Sequence, residues 1–441
     1  MDRVATRIAP SPTGRMHIGT VRTALFNFLI ARRYGGTYFV RIEDTDKARN
    51  EEAWVDDIWN DFAWCGLEPD KKFRQSQHLE RHKELLRVLL ESGKAYVSRE
   101  PAKNDPTKEV EVVRLKNPGK TVVFADLIRG EVSVDTTDLG DFVIARAIDD
   151  PLYHLAVVID DADAGVTHII RAEEHISNTP RQILIQEALG FPRPAYAHLP
   201  LILAPDRSKL SKRKHGASIE NYREQGYIPE AIINYLALLG WNPGTEEELF
   251  SLEELIERFS FDKLQKSGAI FDETKLRWFN KEHLRRLPPE EYYNRLVLFI
   301  EHRGGSVPSY LREIAGLLLE RAETLGEAAD LIKAGEFSFM EGASVTKELL
   351  LRGAKTDIAE VQENLAEVHR ILGMVAEENW NAGQIKEAIF PFAENAGKAQ
   401  VLWPLRVSLS GREKSPDPFV LAALIGKKKV LERVNEAAHL P

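Results

Sequence analysis

The first forty residues consist of an apolar run, a turn rich in proline and glycine, and an amphipathic segment. The run from Val4 to Ile8 is short and continuous, which is typical of a buried strand. Apolar residues then recur at helical spacing until Gly35 and Gly36 stop the pattern; they are Val21, Leu25, Phe28 and Leu29. The pattern therefore predicts a strand joined by a tight turn to a helix that begins near Gly19.

The same succession of strands and helices continues to about residue 80 and resumes after residue 160. The predicted elements are strands at 37–42, 167–171 and 199–203 and a helix at 178–190. The stretch 81–160 differs, because a helical segment gives way to polar residues and short β-like runs. Alternating strands and helices are typical of a parallel sheet with helices on both faces. We therefore interpret 81–160 as an insertion that splits an α/β fold.

Helical spacing dominates the second half of the chain. It begins near residue 219, is interrupted by turn-forming residues at 240–244, and is almost continuous from 290 to 441. One apolar face is formed by Leu311, Ile314, Leu318 and Ala322, and another by Ile358, Val361 and Leu365. The C-terminal third is therefore predicted to be all-helical.

The composition is that of an ordinary soluble globular protein. The 441 residues suffice for two to four domains, and 43% are hydrophobic and 29% charged. No apolar stretch approaches the roughly 20 residues that cross a bilayer, and we expect no leader segment after Met1. Cys65 is the single cysteine, which excludes an internal disulfide and a cysteine-rich zinc site. We expect a cytoplasmic protein.

The net charge argues mildly against a general nucleic-acid binder. The chain has 59 basic and 68 acidic residues, so the formal net charge is −9. Local basic groups, such as the three lysines at 427–429, can still form a track for phosphates. An acidic remainder would then weaken unspecific binding to RNA.

The turn between the first strand and the first helix contains candidate chemistry. Backbone N–H groups at the start of a helix have no partner inside the helix and can bind an anion. His17 lies at the end of this turn, where its side chain could reach a phosphate held there. A single histidine is more often structural, so the turn by itself is only suggestive.

A strongly basic segment lies in the middle of the chain. Residues 206–216 contain one acid and five cations, which are Arg207, Lys209, Lys212, Arg213 and Lys214. Such a loop can clamp a triphosphate as its charge builds up in a transition state. Most charged runs are solvated surface loops, and that alternative stays open for the segment taken alone.

Together the two segments resemble the signature motifs of class I aminoacyl-tRNA synthetases. Residues 17–20 (HIGT) are similar to HIGH, and residues 209–213 (KLSKR) are similar to KMSKS. Further stretches resemble bacterial glutamyl-tRNA synthetases in the order of that family: 6–14, 41–46, 170–175, 177–182 and 404–406. Thr20 stands where the first motif ends in histidine, a position at which bacterial members vary.

The resemblance implies a fold of class α/β. Its doubly wound, Rossmann-like class I catalytic domain is split by an inserted α+β domain and followed by an all-helical anticodon-binding region. The implied domains are the first catalytic half (1–80), an acceptor-stem-binding insertion (81–160), the second catalytic half (161–213), a stem-contact helical domain (214–289) and the anticodon-binding domain (290–441).

The resemblance also implies a two-step reaction, that of a glutamate–tRNA ligase. Glutamate would react with ATP to give glutamyl-adenylate and pyrophosphate, and the terminal adenosine of tRNA would then take the glutamate. The expected partners are L-glutamate, ATP and tRNA-Glu and/or tRNA-Gln, with no membrane, and the chain is expected to be a monomer. Mg²⁺ would enter with ATP as a co-substrate. No zinc is expected, because residues 95–99 lack the cysteines that begin a zinc knuckle in many relatives.

The implied site residues serve catalysis, ATP binding and glutamate binding. Catalysis would rest on His17, Lys209 and Lys212. The implied ATP-binding residues are His17, Gly19, Thr20, Glu174, Lys209, Ser211 and Lys212. The implied glutamate-binding residues are Arg7, Ser11, Glu43, Tyr153, Arg171 and His175. Planar guanidinium groups suit this task because they meet a carboxylate through two parallel hydrogen bonds.

Several alternatives stay open at this stage. Arg7 and Arg171 could be structural salt-bridge residues at strand ends, and Tyr153 could be a core residue. A truncated paralogue that modifies tRNA lacks an anticodon-binding domain, and glutaminyl-tRNA synthetase carries β-barrels where this chain is helical. A catalytically silent or repurposed RNA-binding relative would not need His17, Gly19, Lys209 and Lys212 together. A nucleotidyltransferase that acts on no tRNA would not need the helical half.

Overall fold

The computed structural model describes residues 4–45, 50–102, 105–210 and 216–441. The chain forms two compact units, Met1–Arg286 and Leu287–Pro441. The first unit combines parallel strands with helices, and the second is helical. The predicted fold class is confirmed, whereas the internal boundaries at 80, 160 and 213 stay predictions.

The elements of the first unit alternate along the chain as the sequence pattern predicts. Its strands are β1 (Ala5–Ile8), β2 (Thr37–Ile42), β3 (Lys71–Arg74), β4 (Ala95–Ala102), β5 (Asp105–Leu115), β6 (Thr121–Asp126), β7 (Gly130–Asp135), β8 (Phe142–Ala147), β9 (Asp150–Pro151), β10 (His168–Ala172), β11 (Ala195–Leu199), β12 (Ile202–Leu203) and β13 (Ala269–Ile270). Its helices are α1 (Ile18–Arg33), α2 (Glu52–Trp64), α3 (Leu79–Glu91), α4 (Tyr153–Asp163), α5 (Thr179–Leu189), α6 (Ile219–Glu224), α7 (Pro229–Leu238), α8 (Leu252–Arg258) and α9 (Glu273–Arg286).

Two groups of parallel strands form the centre of this unit. One group has the order β1-β2-β3, and the other has the order β10-β11-β6, with β7 antiparallel at its edge. Thr167 joins the groups, because its N–H donates to the carbonyl of Ala5 at 2.9 Å and its hydroxyl accepts the Ala5 N–H at 2.8 Å. Every residue of β1 is buried, as expected for a parallel strand covered on both faces.

The stretch 81–160 is only partly separate from the sheet it interrupts. Strands β4, β5, β8 and β9 form their own antiparallel sheet. The β6–β7 hairpin instead extends the parallel sheet, since Asp126 pairs with Tyr196 of β11. One apolar core runs from Leu86 of α3 through Ile144 of β8 to Ile169 of β10. The inserted segment and the second half of the sheet therefore share a core.

β12 (Ile202–Leu203) covers the last two residues of the strand predicted at 199–203, whereas β11 lies earlier, at Ala195–Leu199. Pro200 has no N–H to donate to a neighbouring strand and ends it. The next N–H, that of Leu201, donates to Glu173 at 2.9 Å. The turn after β11 is thereby fixed by a side chain from the end of β10.

The second unit is a set of packed helices. They are α10 (Pro289–His302), α11 (Leu311–Arg321), α12 (Leu325–Lys333), α13 (Lys347–Ala354), α14 (Ile358–Met374), α15 (Ala382–Ala396), α16 (Lys398–Ser410), α17 (Pro418–Ile425) and α18 (Lys427–Ala438). Side chains of Thr324, Thr346, Asp357 and Asn381 accept backbone N–H groups at helix starts, as N-cap residues do. The predicted apolar face of α11 is confirmed, since Leu311, Ile314, Leu318 and Ala322 are all buried.

Candidate active site

The carboxyl ends of the parallel strands surround a cavity of about 640 Å³. Ligands of doubly wound sheets bind at this edge. Every predicted site residue that the structure describes lines the cavity; these are Arg7, Ser11, His17, Gly19, Thr20, Glu43, Tyr153, Arg171, Glu174, His175 and Lys209. Ser211 and Lys212 lie outside the described residues. Residues near β1 and residues near β10, which are far apart in the sequence, thus line one cavity.

His17 is the N-cap of α1, at the start of the first helix. Its Nδ1 accepts the backbone N–H of Gly19 at 2.9 Å. A neutral imidazole that accepts at Nδ1 carries its hydrogen on Nε2, so the cap fixes the tautomer of this ring. His17 is therefore held as a donor through Nε2 at the positive end of the helix.

Gly19 leaves room for the His17 ring. A Cβ atom at Gly19 would lie 3.0 Å from Nδ1 and 3.6 Å from Cε1 of His17. Such a contact is tighter than most Cβ contacts, so the imidazole would have to move by a few tenths of an ångström. Glycine thus favours the capping position of the histidine, which sequence reasoning had not anticipated.

Arg7 belongs to a group of charged residues that we call the carboxylate side: Arg7, Arg41, Glu43, Asp160 and Asp161. Arg7 donates from Nε to Asp161 at 3.1 and 3.2 Å and from a terminal nitrogen at 3.2 Å, and both side chains are almost fully buried. Arg41 donates to the same Asp161 at 2.5 Å and to Glu43 at 3.1 Å. Burial alone would disfavour ionised Asp161, but Arg7 and Arg41 outweigh it and lower its pKa. Arg7 is therefore both a salt-bridge residue and a cavity residue.

Asp160 extends the carboxylate side behind the cavity wall. It accepts from His82 at 2.7 Å and from the amide of Gln75 at 2.8 Å, and Arg41 lies 3.7 Å away. Its side chain is fully buried. These contacts tie α4 to β2, α3 and the turn that precedes α3.

Arg171 has a different environment, which we call the neutral side: Arg171, Thr179, Gln182 and His198. Its guanidinium donates to Gln182 at 2.7 Å, to Thr179 at 2.7 Å and to Nε2 of His198 at 3.2 Å. Among the described residues no carboxylate is paired with it. Burial, opposed in part by Tyr153, lowers the pKa of Arg171. A charged group with only neutral partners is suited to an anionic ligand.

His198 connects the neutral side to the inserted segment. Its Nδ1 lies 2.6 Å from an Oδ2 atom of Asp126, which also accepts the His198 backbone N–H at 3.1 Å. The other oxygen of Asp126 accepts the N–H groups of Ile128 and Arg129, each at 2.9 Å. Burial opposes ionisation of Asp126, but His198 and these N–H groups outweigh it and lower its pKa.

Three further cavity residues have pKa values shifted by burial. Burial raises the pKa of Glu43, although Arg41 and Arg7 partly offset the effect. Burial and then the nearby Glu43 raise the pKa of Tyr153. Burial, followed by the charge of Arg171, lowers the pKa of His175 to about 4. His175 is therefore neutral at physiological pH, and Tyr153 keeps its hydrogen.

Arg22 is a cavity residue that the sequence analysis missed. It is buried and donates to the carbonyl of Leu239 at 3.0 Å and to that of Pro200. Burial lowers its pKa to about 10, so it stays charged near neutrality. A basic residue one turn into a mostly buried helix was the available signal. Asp160 and Asp161, two acids that follow the apolar run of α4, gave a similar one.

Lys209 and Leu210 of the basic segment line the cavity. Lys209 forms an ion pair with Glu174, and Leu210 donates to the carbonyl of Ile202 at 3.1 Å. Beyond the segment, Ala217 accepts the N–H of Ile18 at 3.1 Å. The described residues of the two predicted motifs thus line the same cavity.

Two features concern the described residues as a whole. No group of three or more His, Cys, Asp or Glu side chains among them is arranged to hold a metal ion. None of their helices is both long and apolar enough to span a membrane.

Comparison with known proteins identifies the family. The model for the catalytic domain of class I tRNA synthetases (E and Q) matches residues 3–105 and 98–278, and the model for an anticodon binding domain matches residues 290–438. The chain is 39% identical to the glutamate–tRNA ligase of Moorella thermoacetica, covering 100% of this chain and 99% of that protein. The glutamate–tRNA ligase of Oleidesulfovibrio alaskensis is also 39% identical, with both proteins covered completely.

A solved structure is similar over the same length. The glutamate tRNA ligase from Elizabethkingia meningosepticum, crystallised in complex with its amino acid, superposes with a TM-score of 0.85 at 30% identity. The superposition covers 99% of each chain. Cavity, motifs and full-length similarity agree, and the chain belongs to the class I aminoacyl-tRNA synthetase family for glutamate and glutamine.

Proposed function

We propose that this protein is a glutamate–tRNA ligase. In the first step a carboxylate oxygen of glutamate bonds to the α-phosphorus of ATP, and the bond to pyrophosphate breaks. In the second step a hydroxyl of the 3'-terminal adenosine of tRNA bonds to the acyl carbon, and AMP and a proton are released. The observation that carries the proposal is one cavity that combines a helix start with His17 and two buried guanidinium groups.

Arg171 and Arg7 are the proposed contacts for the two carboxylates of glutamate. Arg171 supports this role because its described partners use three of its five N–H bonds, one at each nitrogen, which leaves one on each terminal nitrogen. Arg7 uses Nε and one terminal nitrogen on Asp161. By the resemblance, Arg7 with Tyr153 takes the side-chain carboxylate, and Arg171 takes the α-carboxylate.

Glu43 and Ser11 are the proposed acceptors for the α-ammonium group. Glu43 exposes 11% of its side chain and lines the cavity. Its charge, when ionised, is negative, whereas the guanidinium groups are positive. An incoming ammonium would favour the ionised form of Glu43 and lower its raised pKa. His175, neutral in this environment, completes the proposed glutamate site without adding charge.

Selection against glutamine follows from the same cations. Burial removes most water from Arg7, which is 5% exposed, and from Arg171, which is 6% exposed. A neutral amide in place of the side-chain carboxylate would leave a desolvated guanidinium with a weaker acceptor. We therefore expect glutamine to bind more weakly than glutamate.

ATP is proposed to bind between the start of α1 and the basic segment. The Nε2 hydrogen of His17 would donate to phosphate oxygens as they gain charge, next to Gly19 and Thr20. Lys209 and Glu174 lie on the same cavity, and Ser211 and Lys212 are assigned by the resemblance to the KMSKS motif. Mg²⁺ is proposed to arrive with ATP as part of the substrate, and no protein metal site or zinc is proposed.

Positioning and charge neutralisation would supply the acceleration, because neither step requires a covalent enzyme intermediate. The tRNA partner is proposed to be tRNA-Glu and/or tRNA-Gln, contacted in part by the helical region matched to an anticodon binding domain. A monomeric state and a cytoplasmic location belong to the same proposal and are not needed by the chemistry.

The proposal is tested by two assays on the purified full-length chain. Glutamate-dependent exchange of pyrophosphate into ATP is measured with and without tRNA, with glutamine and aspartate as competing amino acids. Attachment of labelled glutamate is then measured with purified tRNA-Glu and tRNA-Gln separately. Glutamate-dependent activity supports the proposal and identifies the tRNA, whereas activity with glutamine alone or with no amino acid contradicts it.

A further inference from the structure

Asp126 and His198 form a buried chain of hydrogen bonds that ends at Arg171. The His198 side chain has no solvent exposure, and its two ring nitrogens face different partners. Nδ1 faces an Asp126 carboxylate oxygen at 2.6 Å. Nε2 faces Nε of Arg171 at 3.2 Å and the hydroxyl of Thr179 at 3.0 Å. The inserted segment is thus connected to the cavity through one imidazole.

The partners determine which nitrogen of His198 carries the hydrogen. An ionised carboxylate only accepts hydrogen bonds, so Nδ1 must donate to Asp126. Nε2 of the neutral ring is then an acceptor, and it is the only described partner of the single hydrogen on Nε of Arg171. If the hydrogen moved to Nε2, two donors would face each other and Arg171 would be displaced.

The position of the Arg171 guanidinium is fixed at three points. His198 holds Nε, Gln182 holds one terminal nitrogen at 2.7 Å, and Thr179 holds the other at 2.7 Å. Thr179 and Gln182 belong to the same helix, α5, whereas His198 lies on β11. Without His198, both remaining hydrogen-bond partners lie on α5. The hydrogen bond from β11 that opposes rotation of the guanidinium is then lost.

We propose that Asp126 and His198 are positioning residues that orient Arg171 toward the amino-acid substrate. Asp126 selects the His198 tautomer, and His198 holds the Nε edge of Arg171, so the terminal N–H groups face the cavity. The proposal rests on the proposed function, because it needs Arg171 to bind a carboxylate of glutamate. If the role were purely structural, the Asp126–His198 hydrogen bond would only hold β6 against β11.

Two substitutions of His198 separate the two roles. His198→Gln keeps an amide near the place of Nε2, where its oxygen can accept from Arg171. His198→Asn keeps an amide near the place of Nδ1, facing Asp126, and removes the acceptor at Arg171. We expect His198→Asn to raise KM for glutamate by about tenfold to a hundredfold and to leave KM for ATP within about twofold. His198→Gln should raise KM for glutamate by no more than about threefold.

Asp126→Asn provides a second route that does not alter His198. Asp126 accepts two N–H groups on each oxygen, and an asparagine has one oxygen for both sides. If the oxygen stays on the Ile128–Arg129 turn, the amide donates to Nδ1 and forces the hydrogen onto Nε2. KM for glutamate should then rise as in His198→Asn, and Asp126→Asn should add little in the His198→Gln background.

Kinetics and thermal melting are measured together on the full-length protein. Glutamate-specific losses in His198→Asn and Asp126→Asn, with His198→Gln spared, support the proposal even if all three melt earlier. Equal losses in both His198 variants, or equal rises in KM for ATP and glutamate, overturn it. If His198→Asn does not fold, Asp126→Asn still tests the proposal, since the same rise in KM for glutamate is expected for both. An inactive wild-type protein contradicts the proposed function instead. An Arg171→Ala variant with unchanged KM for glutamate overturns the role of Arg171, and with it this proposal, while the ligase activity still stands.

Discussion

The carboxylate side and the neutral side of the cavity each hold a buried arginine, but they compensate its charge differently. Arg7 shares Asp161 with Arg41, so its charge is balanced within the protein. Arg171 donates to an amide, a hydroxyl and an imidazole, and none of these carries a compensating negative charge. The two arginines are equally buried, so the difference lies in their partners and not in their exposure.

This difference separates a contribution to folding from a contribution to binding. Removing one member of a buried ion pair leaves an orphaned charge, which is strongly destabilising. A buried cation with neutral partners is itself costly, and an anionic ligand relieves part of that cost when it binds. The carboxylate side therefore contributes mainly to the stability of the folded cavity, and the neutral side contributes mainly to the affinity for an anionic ligand.

The largest effect is expected from Asp161→Asn. This change leaves Arg7 and Arg41 without their shared carboxylate, and it should lower the free energy of unfolding by about 3–5 kcal/mol. Chemical denaturation at neutral pH measures it. Asp163→Asn is the matched control, because Asp163 ends the same helix in an exposed pair with Arg81 and should change stability by less than about 1 kcal/mol. Equal stability of the two variants would remove the distinction between the two sides.

The next effect is expected from Arg171→Gln. It should raise KM for glutamate by about tenfold to a hundredfold, because charge-assisted hydrogen bonds to a carboxylate are lost. It should lower the free energy of unfolding by at most about 2 kcal/mol, since only neutral acceptors lose their donor. Steady-state kinetics and denaturation on the same preparation test both parts. A loss of stability as large as that of Asp161→Asn would show that Arg171 is mainly structural.

Gly19→Ala should affect neither arginine and should weaken ATP binding. The added methyl group would lie 3.0 Å from Nδ1 of His17 and displace its ring from the helix start. A hydrogen bond from Nε2 of His17 to phosphate is worth about 1 kcal/mol, so its loss should raise KM for ATP about fivefold with KM for glutamate unchanged. Gly316→Ala is the control, because a Cβ there has open space inside α11. A parallel rise in both KM values would contradict the separation of ATP and glutamate groups.

The smallest effect is a difference in pH dependence between the two sides. The pKa of Asp161 is lowered below its usual 3.8, so its contribution to stability is lost only as the pH falls through that range. Burial, opposed by Asp126, lowers the pKa of His198 from 6.5, so the unfolded chain binds this proton first. Stability linked to His198 is therefore present above pH 6.5 and decreases below it, by less than about 1.4 kcal/mol per pH unit.

Denaturation at pH 7.5, 6.0 and 5.0 measures this dependence. His198→Gln should show a shallower loss of stability between pH 6.5 and 5 than the wild-type chain, whose other buried histidines still contribute. Identical slopes for the two proteins would mean that folding does not change the pKa of His198. His198 would then take up a proton below pH 6.5 in the folded state as well, and the tautomer argument for Arg171 would apply only above that pH.

Short-range patterns in the sequence predicted the fold class. His17 could be found because it lies within one strand–turn–helix segment whose geometry is local. The roles of Arg7, Arg171 and Glu174 were implied by the resemblance to class I synthetases and not by local geometry. Their placement on one cavity agrees with these predictions, while their roles await the experiments above.

The partners of these residues could not be predicted, because they come from distant parts of the chain. Asp161 lies 154 positions after Arg7, and Asp126 lies 72 positions before His198. Sequence spacing does not reveal such tertiary pairs, and Asp161 could only be read as an acid at the end of a helix. The role of Gly19 in leaving room for the His17 ring depends on a side-chain rotamer, which is likewise invisible in the sequence.

The β6–β7 hairpin, which lies inside the inserted segment but belongs to the parallel sheet, constrains how hybrid enzymes can be assembled. A graft that exchanges residues 81–160 as a block would replace Asp126 together with β6, the strand that carries it. Donor and recipient would then have to match at the histidine contact as well as at the splice points. Exchange of β4, β5, β8 and β9 around a retained hairpin is the cut that leaves the amino-acid site of the recipient intact.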